Sequence, residues 1–193
     1  MHRREVEASF EHPVRSDETL SQAFEASARN HVDRPAQQYK GGVYDRSLVA
    51  AGAVPAAPEG EFARLTYGEM RGLVRRLAAG FRSLGVADDE RVGVVAHTRM
   101  EWALSDFALL AAGAVVTGVS PTASTGQIGS LLEDAGATGV VVENAAVLER
   151  VADVAADLGL SFAVVMDEAE SVQTCGDGAT AGGGGATTEG DGA

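Results

Sequence analysis

Residues 91–119 read RVGVVAHTRMEWALSDFALLAAGAVVTGV, and this stretch decides the fold class. It opens with Arg91-Val92-Gly93-Val94-Val95-Ala96, a short β-branched run with no polar alternation, the pattern of a strand buried on both faces. Thr98 and Glu101 are spaced as a T-x-x-E capping box. They precede a helical period through Met100, Leu104, Phe107 and Leu110–Ala111 that stops at Gly113. A second apolar strand, residues 114–119, follows at once.

The alternation continues on both sides. Upstream, Thr66 and Glu69 form another capping box, and Met70, Leu73, Val74, Leu77, Phe81 and Leu84 fall three or four apart, on one helix face. Gly85 stands where a helix ends on a left-handed residue. Downstream, the hydroxyl-rich loop 120–125 (SPTAST) leads to a helix with Ile128, Leu131, Leu132 and Ala135, closed by Gly136. Residues 138–143 are a third strand. A helix over 145–158 with Val147, Leu148, Val151, Val154 and Leu158 inward is closed by Gly159, and 161–166 are a fourth strand. Valine-rich strands alternating with helices of ten to twenty residues predict an α/β layered domain, its sheet mainly parallel with helices on both faces.

The flanks read differently. Residues 1–16 are an N-terminal extension, and 17–31 form an amphipathic helix with Leu20, Ala23, Phe24 and Ala28 on one side. Residues 36–40 and 62–66 are short strands joined by an alanine- and proline-rich loop over 50–61. After about residue 169 the pattern collapses into a Gly/Ala/Thr-rich tail holding the run Gly182-Gly183-Gly184-Gly185. Such a segment buries too little apolar surface to offset its ordering entropy, and disorder is expected over 169–193.

Composition excludes several function classes. The chain has 193 residues, of which 45 % are apolar, enough for a core. No run approaches the ~20 apolar residues of a membrane span, and the N-terminus lacks the apolar segment of a secretory signal. The cytoplasm is therefore expected. A lone Cys175 excludes an internal disulfide and a multi-cysteine metal site. Fifteen basic residues against 28 acidic ones give a net charge of −13, with Lys40 the only lysine. Nucleic acid is not an expected partner, because no basic cluster is present to displace counterions from phosphates. The acids are dispersed rather than blocked, as in proteins kept hydrated at high salt.

Nucleotide signatures are missing from the strand ends. Neither G-x-G-x-x-G nor G-x-x-x-x-G-K-[ST] follows any strand, and Lys40 lacks the second context. The loop 120–125 occupies a position where open α/β sheets bind ligands, yet its hydroxyls and Pro121 serve equally as a turn with an N-cap. His2, His12, His31 and His97 have no ligand spacing. His97, at a strand's carboxyl end, is read as a loop or capping residue, Trp102 as packing, and Arg75-Arg76 as solvated helix surface. Glu101 and Asp106 sit five apart, off a common face. Cys175 has no base in sequence to activate it. No residue is assigned a catalytic, cofactor-binding or metal-binding role.

The order of short motifs is more telling than any one residue. It runs Leu65-Thr66-Tyr67-Gly68-Glu69-Met70, then Arg76-Leu77-Ala78-Ala79-Gly80-Phe81, Leu84-Gly85-Val86 and Asp89-Glu90-Arg91-Val92-Gly93-Val94. Arg99-Met100-Glu101-Trp102, Asp106-Phe107-Ala108-Leu109-Leu110-Ala111-Ala112-Gly113 and Ser120-Pro121-Thr122 follow. Over residues 20–168 this resembles the opening of the AMP-forming adenylate synthetases, the superfamily of acyl-CoA synthetases, luciferases and peptide-synthetase adenylation domains. Arg34-Pro35-Ala36-Gln37-Gln38-Tyr39-Lys40 resembles the long-chain fatty acyl-CoA branch, and the acidic composition fits a haloarchaeal-type source.

The resemblance implies a parent ligase that joins ATP and a fatty acid into an acyl-adenylate with Mg²⁺ present, then passes the acyl group to CoA. Residues 17–168 would be a partial N-terminal domain of that parent. The family's phosphate loop ending in lysine, its Tyr-Gly-x-Thr-Glu segment, its ribose-binding aspartate and its late lysine have no match in this chain. The fragment alone is expected to be inactive, and to self-associate through apolar surface that the parent would cover. A free-standing binding or interaction module is the alternative.

The charge pattern carries its own test. Carboxylate repulsion acts over a Debye length of ~30 Å at 0.01 M salt but only ~3 Å at 1 M. The thermal midpoint, followed by circular dichroism, should rise between these two conditions. An equal midpoint would remove the high-salt interpretation.

Overall fold

The structure is a computed structural model that describes residues 19–44, 46–167 and 172–174. Its first helix, α1 (Leu20–Asn30), is capped by Thr19, whose side chain accepts from the Gln22 backbone N–H while Gln22 reaches back to the Thr19 N–H. Phe24 and Ala28 are buried, but Leu20, grouped with them by spacing, is 71 % exposed, standing in the first turn of the helix. Strand β1 (Pro35–Lys40) pairs antiparallel with β2 (Phe62–Thr66) as a separate two-stranded ribbon. Between them lies α2 (Ser47–Ala50), a single turn that ends where the loop read over 50–61 begins and that no element of the sequence reading covered.

Helix α3 (Tyr67–Ser83) begins at the expected Thr66/Glu69 capping box and buries Met70, Leu73, Val74, Ala78 and Phe81. The main sheet then assembles from β3 (Arg91–Val95), β4 (Val115–Val119), β5 (Gly139–Val142) and β6 (Phe162–Val165), with β7 (Val172–Thr174) at its edge. Helices α4 (Met100–Ala111), α5 (Thr125–Ala135) and α6 (Ala145–Leu158) connect the four parallel strands. The strand order is β4-β3-β5-β6-β7, and only β7 runs antiparallel. The α/β class, the parallel sheet and the helices on both faces are as the sequence predicts.

Strand alternation divides the core in two. Val92, Val94, Val141 and Phe162 face α1, α3 and α4, in a cluster with Met70, Phe81 and Leu104. Val95, Val140, Val142, Ala163 and Val165 face the other way, onto Ile128 and Leu132 of α5 and Val147 and Val151 of α6. Glycine in β5 serves this packing: a Cβ on Gly139 would lie 2.2 Å from the Phe162 ring. The C-caps Gly136 and Gly159, at φ 63° and 66°, end α5 and α6 in the left-handed region where a Cβ is disfavoured.

Three local expectations are corrected. The Thr98/Glu101 capping box does not form; Arg99 is the N-cap of α4 and makes no side-chain cap bond, because the Glu101 carboxylate is engaged by two buried guanidiniums. The buried face of α4 runs through Met100, Leu104, Ala108 and Leu109, while Leu110 is half-buried and Ala111 exposed. Leu131 on α5 is 46 % exposed, since Ile128, Gly129 and Leu132 already fill the contact with the sheet and α6. The residue-1–16 extension, Cys175 and the glycine-rich run lie outside the described residues; within the stretch 169–193 read as disordered, Val172–Thr174 instead form β7, whose backbone pairs with the edge of β6 without needing an apolar pattern of its own. No helix among the described residues is long and apolar enough to cross a membrane.

Candidate functional site

In open parallel sheets, ligand crevices form at the carboxyl ends of strands where successive connections leave toward opposite faces. Here β3 continues into α4 on one face, and its neighbour β5 into α6 on the other. His97 and Glu143 stand at those two strand ends. The Glu143 carboxylate accepts from the His97 backbone N–H at 2.7 Å, and its same oxygen lies 2.8 Å from the His97 ring Nδ1. Glu143 is buried while the His97 side chain is 52 % exposed. The pair sets the imidazole's orientation, and with Nδ1 facing the carboxylate, Nε2 is the nitrogen left for other partners.

A larger charged cluster lies beside it. Arg46 Nη1 donates to both oxygens of Glu101, at 2.6 and 2.5 Å, and Arg99 Nε donates to Glu101 Oε2 at 2.8 Å. Arg99 Nη2 sits 2.5 Å from Oδ1 of Asp167, a residue just beyond β6, in a close ion contact. The side chains of Arg46, Arg99 and Glu101 are 7 %, 0 % and 4 % exposed. Aromatic rings cover the cations: Tyr44 lies 4.1 Å from the Arg99 guanidinium carbon, and Tyr39 lies 5.1 Å from that of Arg46. Ser47 Oγ donates to the Met166 carbonyl at 2.5 Å, tying α2 to the same strand end.

The two carboxyls titrate in opposite directions. Burial pushes Glu101 upward, but hydrogen bonds from Arg99 and Arg46 overcome it and hold the group below the ordinary glutamate value. Burial also pushes Asp167 upward, and its contact with Arg99 only partly offsets that, so its value is raised. Asp106, on the same helix as Glu101, is raised by burial and takes no part in the cluster.

The other residues singled out in the sequence have local roles. In the loop after β4, Ser120 Oγ and Thr122 Oγ1 are 2.9 Å apart, and Ser124 caps α5 in a box with Gln127. Arg150 of α6 donates to the carbonyls of Pro121 and Ala123 and so braces the same loop. The hydroxyls are thus used within the turn. Trp102 packs against the first core cluster, with its ring 3.5 Å from where a Cβ on Gly118 would stand. Arg76 is exposed, as expected, whereas Arg75 also reaches Glu25 at 3.0 Å. That same Glu25 oxygen takes Arg71 and Arg29 as well, and the Arg71 hydrogen bond is the main reason its pKa falls to about 2. Among the described residues no three His, Cys, Asp or Glu side chains gather into a metal-binding group.

Sequence reasoning missed the Arg46–Glu101–Arg99–Asp167 cluster. Its members are up to 121 positions apart (167 − 46), beyond the reach of any local pattern. The available signal was the apolar neighbourhood of Arg99 and Glu101, which places two charges at the mouth of a buried helix. Replacing Glu101 by Gln leaves two buried cations without their shared anion and should cost about 3–5 kcal/mol. Because the folded Glu101 value is depressed, this contribution is present above the unfolded value near 4.5 and is lost as pH falls through the folded one. Asp167 has the opposite sign: its raised value makes the native state lose stability as pH rises from the unfolded value, near 3.8, through the folded one. Urea melts from pH 3 to 7 should therefore show the wild-type advantage over Glu101→Gln growing with pH, and that over Asp167→Asn shrinking. Parallel curves for the two variants would contradict the geometry.

Comparison with known proteins bears on what this architecture belongs to. The family profile described as AMP-binding enzyme matches residues 24–182. Surfactin synthase subunit 1 of Bacillus subtilis is 31 % identical over 125 residues, covering 65 % of this chain and 3 % of that protein. The long-chain-fatty-acid–CoA ligase FadD15 of Mycobacterium bovis is 38 % identical over 85 residues, covering 44 % of this chain and 14 % of the ligase. A long-chain-fatty-acid-CoA ligase (FadD1) from Archaeoglobus fulgidus superposes with a TM-score of 0.61 at 18 % identity, over 78 % of this chain and 28 % of that one. The luciferase-like enzyme of the mealworm Zophobas morio gives 0.62 at 16 % identity, over 81 % and 33 %. These last two likenesses are of fold. The chain thus spans a minor part of each of these relatives, and with the profile covering most of its length it belongs to the AMP-binding enzyme family.

Proposed function

We propose that this chain is the N-terminal part of an ATP-dependent, cytoplasmic long-chain fatty acid–CoA ligase adapted to high salt, and that it lacks the adenylation chemistry by itself. The family match over residues 24–182 carries the reading, and the FadD15 likeness points to the fatty acyl branch. In the parent, ATP, Mg²⁺, a fatty acid and CoA would be the ligands. Phosphoryl chemistry of that kind needs cations aimed at the developing charge. The chain's only lysine, Lys40, lies in the β1–β2 ribbon, and Arg46 and Arg99 are already engaged by buried carboxylates. The part played by these residues is then architectural: they hold the carboxyl ends of β3 and β6 in register for whatever completes the site. Fatty-acid-dependent exchange of pyrophosphate into ATP by the purified 193-residue chain should be at background. Robust exchange would overturn the reading.

Self-association belongs to the same proposal. Strand β4 is an unpaired edge of the sheet among the described residues, and Val115 on it is 46 % exposed. Open edges with apolar side chains are templates for pairing. Both faces of β3, β5 and β6, however, are covered by this chain's own helices, which favours the second reading of a module that folds unaided. Sedimentation velocity in molar salt with ANS fluorescence separates the two. Concentration-dependent association with dye binding is expected of the ligase part, and a dye-silent monomer with one sharp melt would lift the free-standing module above it.

A further inference from the structure

Surface charge is sorted by side of the sheet. On the side packed against Val92 and Val94, α3 carries four of the chain's fifteen basic residues, Arg71, Arg75, Arg76 and Arg82, against one acid, Glu69. On the side packed against Val95 and Val140, α5 and α6 carry Glu133, Asp134, Glu149, Asp153 and Asp157, all exposed, against Arg150 alone. An arginine-rich face is the exception in a chain of net charge −13.

Each side presents a row of like charges. Arg71, Arg75 and Arg82 are four and seven positions apart, so they share a face of α3 over about 16 Å. Arg29 of α1 joins them at Glu25. Glu149, Asp153 and Asp157 are four apart, on one face of α6 over about 12 Å. Like charges at this spacing destabilise a helix, and neither row is neutralised within the chain. Glu25 is a single carboxylate for Arg29, Arg71 and Arg75, and Arg82 meets Asp88 only in an exposed pair. None of the five acids on α5 and α6 forms an ion pair among the described residues, and Arg150 is turned to the carbonyls of Pro121 and Ala123. Exposed alanines, Ala79 by the first row and Ala152 and Ala156 by the second, leave room for two such helices to approach.

We propose that the arginine face of α1 and α3 docks the acidic face of α5 and α6 on a second copy of this chain. The rows match in length and oppose in charge. Because they lie on opposite sides of the sheet, one molecule cannot join its own two faces. The contact is therefore heterologous, and successive copies assemble head to tail. This inference does not rest on the ligase reading. It also differs in kind from pairing at the β4 edge, since an ionic contact weakens with salt and binds no hydrophobic dye.

Sedimentation velocity of the full chain over a range of concentrations, at 0.1 M and 1 M salt, tests it. The Debye length falls from ~10 Å to ~3 Å between these conditions. Association at 0.1 M is expected, at least about ten-fold weaker at 1 M, where several surface ion pairs are screened together. Two exposed pairs of residues are then reversed, Arg75→Glu with Arg82→Glu in one chain and Asp153→Arg with Asp157→Arg in another. At 0.1 M each variant alone should fall to the level that the wild type shows at 1 M. An equimolar mixture of the two should recover association, as should a single chain carrying all four changes, because either restores opposite charges across the contact. A purely structural role for these side chains would give no such recovery. Where a melt shows a reversed chain to be unfolded, the neutral pairs Arg75→Gln with Arg82→Gln and Asp153→Asn with Asp157→Asn replace it, each expected to weaken association by about ten-fold. A monomer at 0.1 M, association that persists in the reversed or neutral variants, or no recovery in the mixture would each overturn the proposal.

Discussion

Glu101 is shared by two guanidiniums in a place where water cannot reach any of the three. Transferring such charges out of water costs several kcal/mol each, which their mutual attraction offsets only when geometry and hydrogen bonding are good. Arg46 from the segment after the first ribbon strand and Arg99 from the end of β3 both satisfy that condition on one carboxylate, and Arg99 extends the chain of contacts to Asp167 at the end of β6. The ribbon, the start of α4 and two sheet strands therefore meet at a point that hydrophobic packing alone would not specify. Apolar side chains tolerate sliding; a buried carboxylate held by three hydrogen bonds from two guanidiniums does not.

The consequence is a division of labour. The valine strands and the helices on either face supply the non-directional driving force, and the same contacts could be made with small shifts of register. The charged cluster, with Tyr44 and Tyr39 over its cations and Ser47 bonded to the Met166 carbonyl, fixes how the β1–β2 ribbon sits over the carboxyl edge of the main sheet. That edge is where open parallel sheets form ligand crevices, and its loops are braced: Glu143 holds His97, and Arg150 holds the turn through Pro121 and Ala123. The outcome is a preset arrangement of strand ends.

Elements carried by local patterns were legible in the sequence. The four parallel strands, the helices that link them and the Thr66/Glu69 cap of α3 follow from period, capping residues and glycine stops acting within a few residues of each other. Where the reading went astray, a distant partner had outbid a local one. Thr98 and Glu101 have the spacing of a capping box, but a capping bond adds only about 1 kcal/mol, less than the loss of one partner from a buried ion pair at about 3–5 kcal/mol. Leu20 and Leu131 have helical spacing but are not buried by any neighbour among the described residues.

By itself, then, the sequence determined the α/β class, the order of elements from α3 to β6 and the family, because each rests on short-range periodicity or on an ordered series of motifs. It also determined the net charge of −13 and the lack of a lysine-bearing phosphate loop. Only the tertiary structure decided the strand order β4-β3-β5-β6-β7, the pairing of His97 with Glu143, and the convergence of Arg46, Arg99, Glu101 and Asp167. The physical reason is separation along the chain. Which charges end up sharing a water-free space depends on how the layers stack, and no local pattern records that.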